Sequence, residues 1–236
     1  MAKTSTTRPK RSVARPTRVA ARPKRAAARA KGAAAKPKPL SSAAFFDLLR
    51  KRDPRTATRI DREIEERSLA DVTVLAVDSS GFSRKTHAYG ILQFLGVMTN
   101  VYDRIIPLLE KRGGICLSRN ADNIMSLFEE PTAAIQAAID MGRWLARYNK
   151  GKSEAWQYDV CMGINCGTVM RLTDNVYGDM VNIAFKVGED LAAKHQILVT
   201  GAVAERVGTT FDLRYDRTVT IGAQQVALHE VRFTTG

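Results

Sequence analysis

Apolar side chains mark out one long segment of alternating strands and helices in the second part of the chain. Residues 72–77 form a short β-branched and apolar run that ends at Asp78, the pattern of a buried central strand. Residues 87–111 then carry apolar side chains at helical spacing, with Pro107 near the end. Two further runs, residues 115–118 and 124–128, flank a polar turn that contains Asp122. The pattern therefore predicts a strand, a helix and a hairpin with an acid at its tip.

The same alternation continues to the end of the chain. Pro131 stands where a second long helix begins, a position that proline favours. The remaining predicted elements are a strand pair at 158–165 and 168–172 around Gly167, a helix at 179–193, a strand at 197–200 and late strands at 211–215 and 226–231. This order predicts an α/β (α+β) fold of the ferredoxin-like β-α-β-β-α-β type with additional C-terminal strands.

Charge and composition divide the chain into three parts. The formal net charge is +13, yet residues 1–40 contain thirteen Lys and Arg and no acid, so the remainder is neutral. We expect residues 1–40 to be a disordered basic tail, either solubilising or in weak contact with a polyanion. We expect a helical linker at 41–70, capped by Ser41 or Ser42 and ending in a solvated, charged helix. A domain follows at 71–236.

Several classes of protein are disfavoured by the composition. Cys116, Cys161 and Cys166 have no spacing typical of a disulfide framework or a zinc site, so we expect reduced, buried thiols in a cytoplasmic protein. No apolar run approaches the length of a membrane span, and we expect no transmembrane segment. His87, His195 and His229 are scattered, and we expect them at the surface or at helix ends.

Asp78 and Asp122 are the candidate metal ligands. In the predicted topology the end of the first strand and the tip of the hairpin lie side by side, so the two carboxylates face a common point. Carboxylate oxygens completed by water and phosphate suit Mg²⁺. Backbone N–H groups of the segment 79–83, which contains Ser80, Gly81, Phe82 and Ser83, suit a polyphosphate. The alternative is structural: Asp78 caps a helix and Asp122 shapes a turn.

Five ordered segments resemble the class III adenylate and guanylate cyclases. They are VTVLAVDSSGFS at 72–83, NADNIMSLF at 120–128, CMGINCGTV at 161–169, VYGDMVNIAFK at 176–186 and QILVT at 196–200. This resemblance implies a head-to-tail homodimer whose active sites lie at the subunit interface. It also implies two divalent metal ions, Mn²⁺ or Mg²⁺, and a nucleoside triphosphate that is converted to a 3′,5′-cyclic nucleotide and pyrophosphate.

Individual roles follow from the resemblance alone. Asp78 and Asp122 match the metal aspartates, and the backbone carbonyl of Ser79 matches a further metal contact. Asn182 matches the asparagine that orients the ribose, and Lys186 occupies the position of the transition-state arginine. Lysine keeps the positive charge but loses the bidentate fork of arginine.

Two positions that read the base in adenylate cyclases also differ. Ser118 replaces a lysine four residues before Asp122, and Asn175 replaces an aspartate or threonine seven residues before Asn182. One hypothesis is an active cyclase that makes cyclic UMP or cyclic CMP, as small standalone anti-phage cyclases of this family do. The alternatives are an adenylate or guanylate cyclase, or an inactive cyclase-like dimer with a regulatory or nucleic-acid-binding role.

Overall fold

A computed structural model describes residues 38–235, apart from the side chain of Asn120. Almost all of the predicted basic tail at 1–40 therefore lies outside the described residues. The helices are α1 (Ser42–Arg50), α2 (Ala57–Ser68), α3 (Phe82–Tyr89), α4 (Ile91–Lys111), α5 (Pro131–Asn149), α6 (Asp179–Lys186) and α7 (Gly201–Val207). The strands are β1 (Leu69–Ser79), β2 (Ile115–Asn120), β3 (Asn123–Phe128), β4 (Val160–Arg171), β5 (Val176–Tyr177), β6 (Ile197–Thr200), β7 (Leu213–Ile221) and β8 (Gln224–Val231).

The strands form one sheet in the order β2-β3-β1-β4-β6-β8-β7, and β5 pairs with the end of β4. β1 is central and antiparallel to both β3 and β4, whereas β4 and β6 are parallel. The helices α4 and α5 follow β1 and β3 and pack on the sheet. The predicted α+β class, the β2–β3 hairpin and the additional C-terminal strands are confirmed.

Several predicted boundaries were wrong, each for a local reason. The expected strand pair around Gly167 is one continuous strand, β4, because its whole length pairs with β1. The helix predicted from residue 87 is two helices, since Gly90 adopts a positive φ of 87° between α3 and α4. The helix predicted to reach residue 193 becomes a π-helical turn at Val187–Leu191. The short helix α7 was not predicted.

Apolar side chains pack on both faces of the sheet. On one face, α4 and α5 cover alternate residues of β1 and β4, among them Leu75, Val77, Met162 and Ile164. On the other face, α6 and the π-turn cover the intervening residues, among them Val74, Ala76 and Cys161. A strand buried on both faces has no polar alternation, which explains the continuous apolar run at 72–77. Cys161 and Cys166 are buried as expected, whereas Cys116 is only half-buried.

The helices α1 and α2 dock on the domain through a small apolar cluster. Ile60 and Ile64 of α2 are 0% and 4% exposed and pack with Leu40, Phe45 and Leu172. Asp174 accepts hydrogen bonds from the backbone N–H and the hydroxyl of Ser42, at 2.8 and 2.9 Å. The expectation that α2 is a solvated connector was therefore wrong for this face, because two isoleucines one turn apart suffice to anchor it.

The closest backbone approach in the core joins β4 to the π-turn. A Cβ atom added at Gly163 would lie 2.3 Å from both the Ala184 carbonyl oxygen and the Gly188 nitrogen. Glycine at this position lets the turn sit directly on the sheet. Among residues 38–235, no helix combines the length and apolar character that crossing a bilayer requires.

We expect Gly163→Ala to destabilise the fold by about 3 kcal/mol or more, because a rigid backbone surrounds the added methyl group. Gly96→Ala is the matched control: it lies on α4 with no atom within 4 Å of the added Cβ, and helix propensity favours it by up to about 1 kcal/mol. Urea unfolding of both variants measures the difference. Equal stabilities would contradict the close approach.

Candidate functional site

The candidate site begins where β1 ends. Asp78 and Ser79 are the last residues of β1, and Asp78 is paired in register with Cys161 of β4. Ser79 is buried, whereas Asp78 is half-buried with its carboxylate at the end of the sheet. Two flanking strands hold this end of β1 in place, so the position of Asp78 is fixed by the sheet rather than by a loop.

Asp122 reaches the same place from the β2–β3 turn. The turn consists of Ala121 and Asp122, and Ala121 adopts a positive φ of 52°. The Ser79 hydroxyl donates a hydrogen bond to Oδ2 of Asp122. The structure thus brings together the two aspartates that the sequence singled out, with Ser79 fixing the orientation of Asp122.

Negative charge accumulates at this point. Burial and the neighbouring carboxylates of Asp122, Glu189 and Asp190 raise the pKa of Asp78 to about 7, against a single backbone hydrogen bond from Ser79 that lowers it. Burial and the charges of Asp190 and Asp122 also raise the pKa of Glu189. The cluster therefore disfavours further negative charge and favours a cation.

Glu189 and Asp190 are the site residues that sequence reasoning missed. Both belong to the π-turn that follows α6, where a continuous helix was expected. Asn123 donates a hydrogen bond from Nδ2 to Oε1 of Glu189 at 2.7 Å, and Lys186 forms an ion pair with Asp190. Adjacent acids beside a candidate phosphate-binding lysine were the available signal, and π-turns frequently occur at functional sites.

Asn182 and Lys186 lie one turn apart on the exposed face of α6. Their neighbours Val181, Ile183 and Ala184 are buried against the sheet, so the two polar side chains point away from it. Lys186 is half-exposed and bonded to Asp190. Both residues are therefore accessible to a ligand or to another protein surface.

The segment 79–83 supplies fewer N–H donors than expected. The Ser80 N–H donates to the carbonyl of Asp159 at 2.8 Å, which removes it from the predicted phosphate-binding set. The Phe82 ring packs edge-on against Phe94, with centroids 4.9 Å apart, so that side chain has a structural role. The remaining candidates are the N–H groups at the start of α3, after Gly81, where no intrahelical acceptor is available.

The two predicted base-reading residues are not brought together within one chain. Ser118 lies half-buried on β2, just after a bulge. Asn175 lies in the β4–β5 turn, where its Nδ2 donates to the hydroxyl of Tyr177 at 3.0 Å and its Oδ1 accepts the Val176 N–H at 2.8 Å. The turn therefore already occupies the amide of Asn175.

Two buried tyrosines lie beneath the carboxylates. Tyr102 of α4 and Tyr158, just before β4, have ring centroids 6.2 Å apart, and neither hydroxyl has a hydrogen-bond partner within 3.5 Å among the described side chains and backbone. Burial, with a contribution from Asp122 and Asp78, raises the pKa of Tyr102 to about 12. Burial likewise raises the pKa of Tyr158. Both phenols therefore remain neutral and act as potential donors behind the site.

The donor set fits a hard divalent cation. It consists of carboxylate oxygens and backbone carbonyls, which Mg²⁺ and Mn²⁺ prefer. Within residues 38–235, no three Asp, Glu, His or Cys side chains are arranged as a complete ligand set. Two carboxylates that leave coordination positions for water and phosphate are the arrangement expected for metal bound together with a nucleotide.

The comparisons with solved structures concern this same fold. The adenylyl cyclase CyaB from P. aeruginosa superposes with a TM-score of 0.62 and 18% identity, covering 70% of this chain and 95% of that one. The guanylyl cyclase Cya2 gives 0.62 and 19%, covering 69% and 92%. The adenylate/guanylate cyclase/hydrolase from Silicibacter pomeroyi gives 0.62 and 18%, covering 69% and 96%. The chain has the class III cyclase catalytic fold.

Sequence comparisons are weaker but agree. Putative adenylate cyclase 3 of Rhizobium meliloti (strain 1021) is 24% identical over 142 residues, 60% of this chain and 24% of that protein. The serine/threonine-protein kinase pkn2 of Myxococcus xanthus is 26% identical over 138 residues, 56% of this chain and 16% of that protein. The matched region thus spans at most a quarter of either relative. No protein-family model matches the sequence.

We expect Asp78→Asn to stabilise the metal-free protein at about pH 8. The folded-state pKa of Asp78, about 7, lies above its ordinary value of 3.8, so ionisation costs stability as pH rises between these values. Because water reaches part of this carboxylate, we expect a gain of about 1–2 kcal/mol rather than the full shift. The gain should vanish near pH 4.

Urea unfolding in the presence of a chelator measures this difference at both pH values. Asp103→Asn, an exposed acid on α4, is the control and should leave stability unchanged. An Asp78→Asn protein that is less stable than the wild type near pH 8 would indicate a structural cap instead of a repelled carboxylate.

Proposed function

We propose that the chain is a nucleotidyl cyclase that converts a nucleoside triphosphate to a 3′,5′-cyclic nucleotide and pyrophosphate. The observation that carries this proposal is the convergence of Asp78 and Asp122 at the end of the central strand of a class III cyclase fold. Other class III folds bearing the names adenylyl and guanylyl cyclase support the reaction class.

The reaction joins the ribose 3′-oxygen to the α-phosphorus and releases pyrophosphate. Asp78, Asp122 and the Ser79 carbonyl would hold two divalent ions, Mn²⁺ or Mg²⁺, which supply charge neutralisation at the attacking and leaving oxygens. Ser79 keeps Asp122 oriented through its hydroxyl. The first N–H groups of α3 face the place that the phosphates would occupy.

Asn182 and Lys186 supply the remaining polar contacts in this proposal. Their exposed position on α6 suits action on a nucleotide held by a second copy of the chain, in a head-to-tail homodimer. Asn182 would orient the ribose, and Lys186 would stabilise charge on the α-phosphate. The single Lys186–Asp190 ion pair is exposed and therefore weak, so it is readily exchanged for phosphate.

The base is the finer question. Ser118 and Asn175 replace the lysine and the acidic residue that read adenine in the family, and their short polar side chains suit hydrogen bonds to a pyrimidine edge. This favours cyclic UMP or cyclic CMP as product, with a second-messenger role in anti-phage defence. The purine cyclases among the similar structures support an adenylate or guanylate cyclase equally.

A second candidate function follows from the lysine at position 186. Loss of the arginine fork weakens phosphate stabilisation, which suits a cyclase-like domain that binds nucleotide without turnover. In that case the basic residues 1–40 supply the main activity by contacting a polyanion, and the domain serves as a dimerising module.

Incubation of the purified protein with ATP, GTP, CTP or UTP and Mn²⁺, followed by mass spectrometry, tests the proposal. We expect one cyclic nucleotide with release of pyrophosphate. Asp78→Ala and Asp122→Ala should each reduce its rate by at least about a hundredfold, because each removes a metal ligand. Asp103→Ala, which removes an exposed acid from α4, is the matched control.

Absence of product from all four triphosphates would favour the binding module. Product formation that survives both aspartate changes would remove the basis of the proposal. In each variant, circular dichroism distinguishes a lost site from a lost fold.

A further inference from the structure

A second cavity lies apart from the carboxylate cluster. It has a volume of about 950 Å³ and is bounded by the end of α5, the start of β4 and residues 231–235, a size within the range of roughly 300–1,000 Å³ typical of small-molecule sites. It opens on the sheet face covered by α4 and α5, whereas α6 and the π-turn cover the opposite face. None of the four carboxylates at the candidate active site lines it.

The cavity is apolar at its base and basic at its rim. Leu145, Val160, Met162 and Phe233 supply the apolar surface. The charged lining residues are Arg147, Lys150, Lys194, Arg232, Asp159 and Glu230, which leave a net charge of +2. An apolar base with a few convergent polar groups is the usual composition of a ligand site.

The two acids of the cavity are already neutralised. Asp159 is only 3% exposed and bonds to Lys194 at 2.9 Å, to Lys85 at 3.2 Å and to Asn149 at 3.0 Å. Glu230 pairs with Arg232 at 3.0 Å. Arg147 and Lys150 form no ion pair within the described part of the chain. The uncompensated charge at the rim is therefore positive.

His195 adds a strained polar group to the same rim. Its backbone has a positive φ of 66°, and its N–H donates to the carbonyl of Val160 at 2.8 Å. The imidazole Nε2 lies 3.3 Å from Asp159, and burial lowers the pKa of His195. A non-glycine residue in this backbone region costs about 1 kcal/mol or more, and such strain concentrates at ligand-binding sites.

A helix end alone does not account for this charge. Arg147 and Lys150 do complement the negative end of the α5 dipole, but Lys194 and Arg232 come from other parts of the chain and meet them at one opening. The basic N-terminal residues are an unsuitable occupant, because their positive charge would be repelled by a positive rim.

We infer that this cavity binds a small amphipathic anion, with an apolar body against Val160, Met162 and Phe233 and a carboxylate or phosphate group at Arg147 and Lys150. This inference goes beyond the proposed cyclase activity and does not depend on it. The floor residue Asp159 also accepts the Ser80 N–H, so the cavity and the segment that follows Asp78 share one residue.

Fluorescence titration of the full chain with anilinonaphthalene sulfonate, an aromatic body with one anionic group, tests the site directly. We expect Arg147→Gln with Lys150→Gln to weaken binding about tenfold, because both rim charges are lost. The matched control is Arg104→Gln with Lys111→Gln, which removes the same charge from exposed positions of α4 and should leave binding unchanged. Ala146→Trp should abolish binding by occupying the cavity.

Competition identifies the ligand chemistry. Hexanoate and hexyl phosphate should displace the probe, and the stronger of the two shows whether the natural group is a carboxylate or a phosphate. Displacement by neutral hexanol at the same concentration would overturn the inference, since it would indicate a merely apolar void. Equal losses of binding in the rim and control variants would also overturn it.

Discussion

Repulsion among carboxylates at one end of the central strands is the constraint on which the candidate site depends. Asp78, Asp122, Glu189 and Asp190 come from three different parts of the chain, and their mutual repulsion raises the pKa of Asp78 to about 7. Three of them have a side-chain partner: Ser79 for Asp122, Asn123 for Glu189 and Lys186 for Asp190. Asp78 has only a backbone hydrogen bond, so the cluster remains short of positive charge. Bound cations would relieve this repulsion.

The fold maintains this unfavourable arrangement through rigid packing. β1 pairs along its whole length with β4, which fixes Asp78, and the hairpin β2–β3 carries Asp122 to the same edge. The close approach between Gly163 and Gly188 brings the π-turn, with Glu189 and Asp190, onto β4. A well-packed core therefore offsets the local electrostatic cost, as is common at functional sites.

The sequence predicted those features that depend on short-range pattern. The run at 72–77, the acid at its end and the hairpin tip were enough to predict the α+β topology and the neighbouring positions of Asp78 and Asp122. It did not predict the π-turn, because residues 187–191 retain helical spacing and only the glycine contact redirects them. Nor did it predict that Ser80 would donate to Asp159, a pairing between segments far apart in the chain. Apolar docking of α2 depends on only Ile60 and Ile64, too few to stand out against its charged residues.

Binding of Mn²⁺ together with inorganic tripolyphosphate tests the central claim most directly, because tripolyphosphate has no base and the measurement needs no turnover. Electron paramagnetic resonance of free Mn²⁺ gives the number of ions bound. The account predicts two ions per protomer in the presence of tripolyphosphate, and loss of that binding in Asp78→Asn and Asp122→Asn. Mn²⁺ binding that is the same in the wild type and both variants would contradict a metal–triphosphate site at the end of β1.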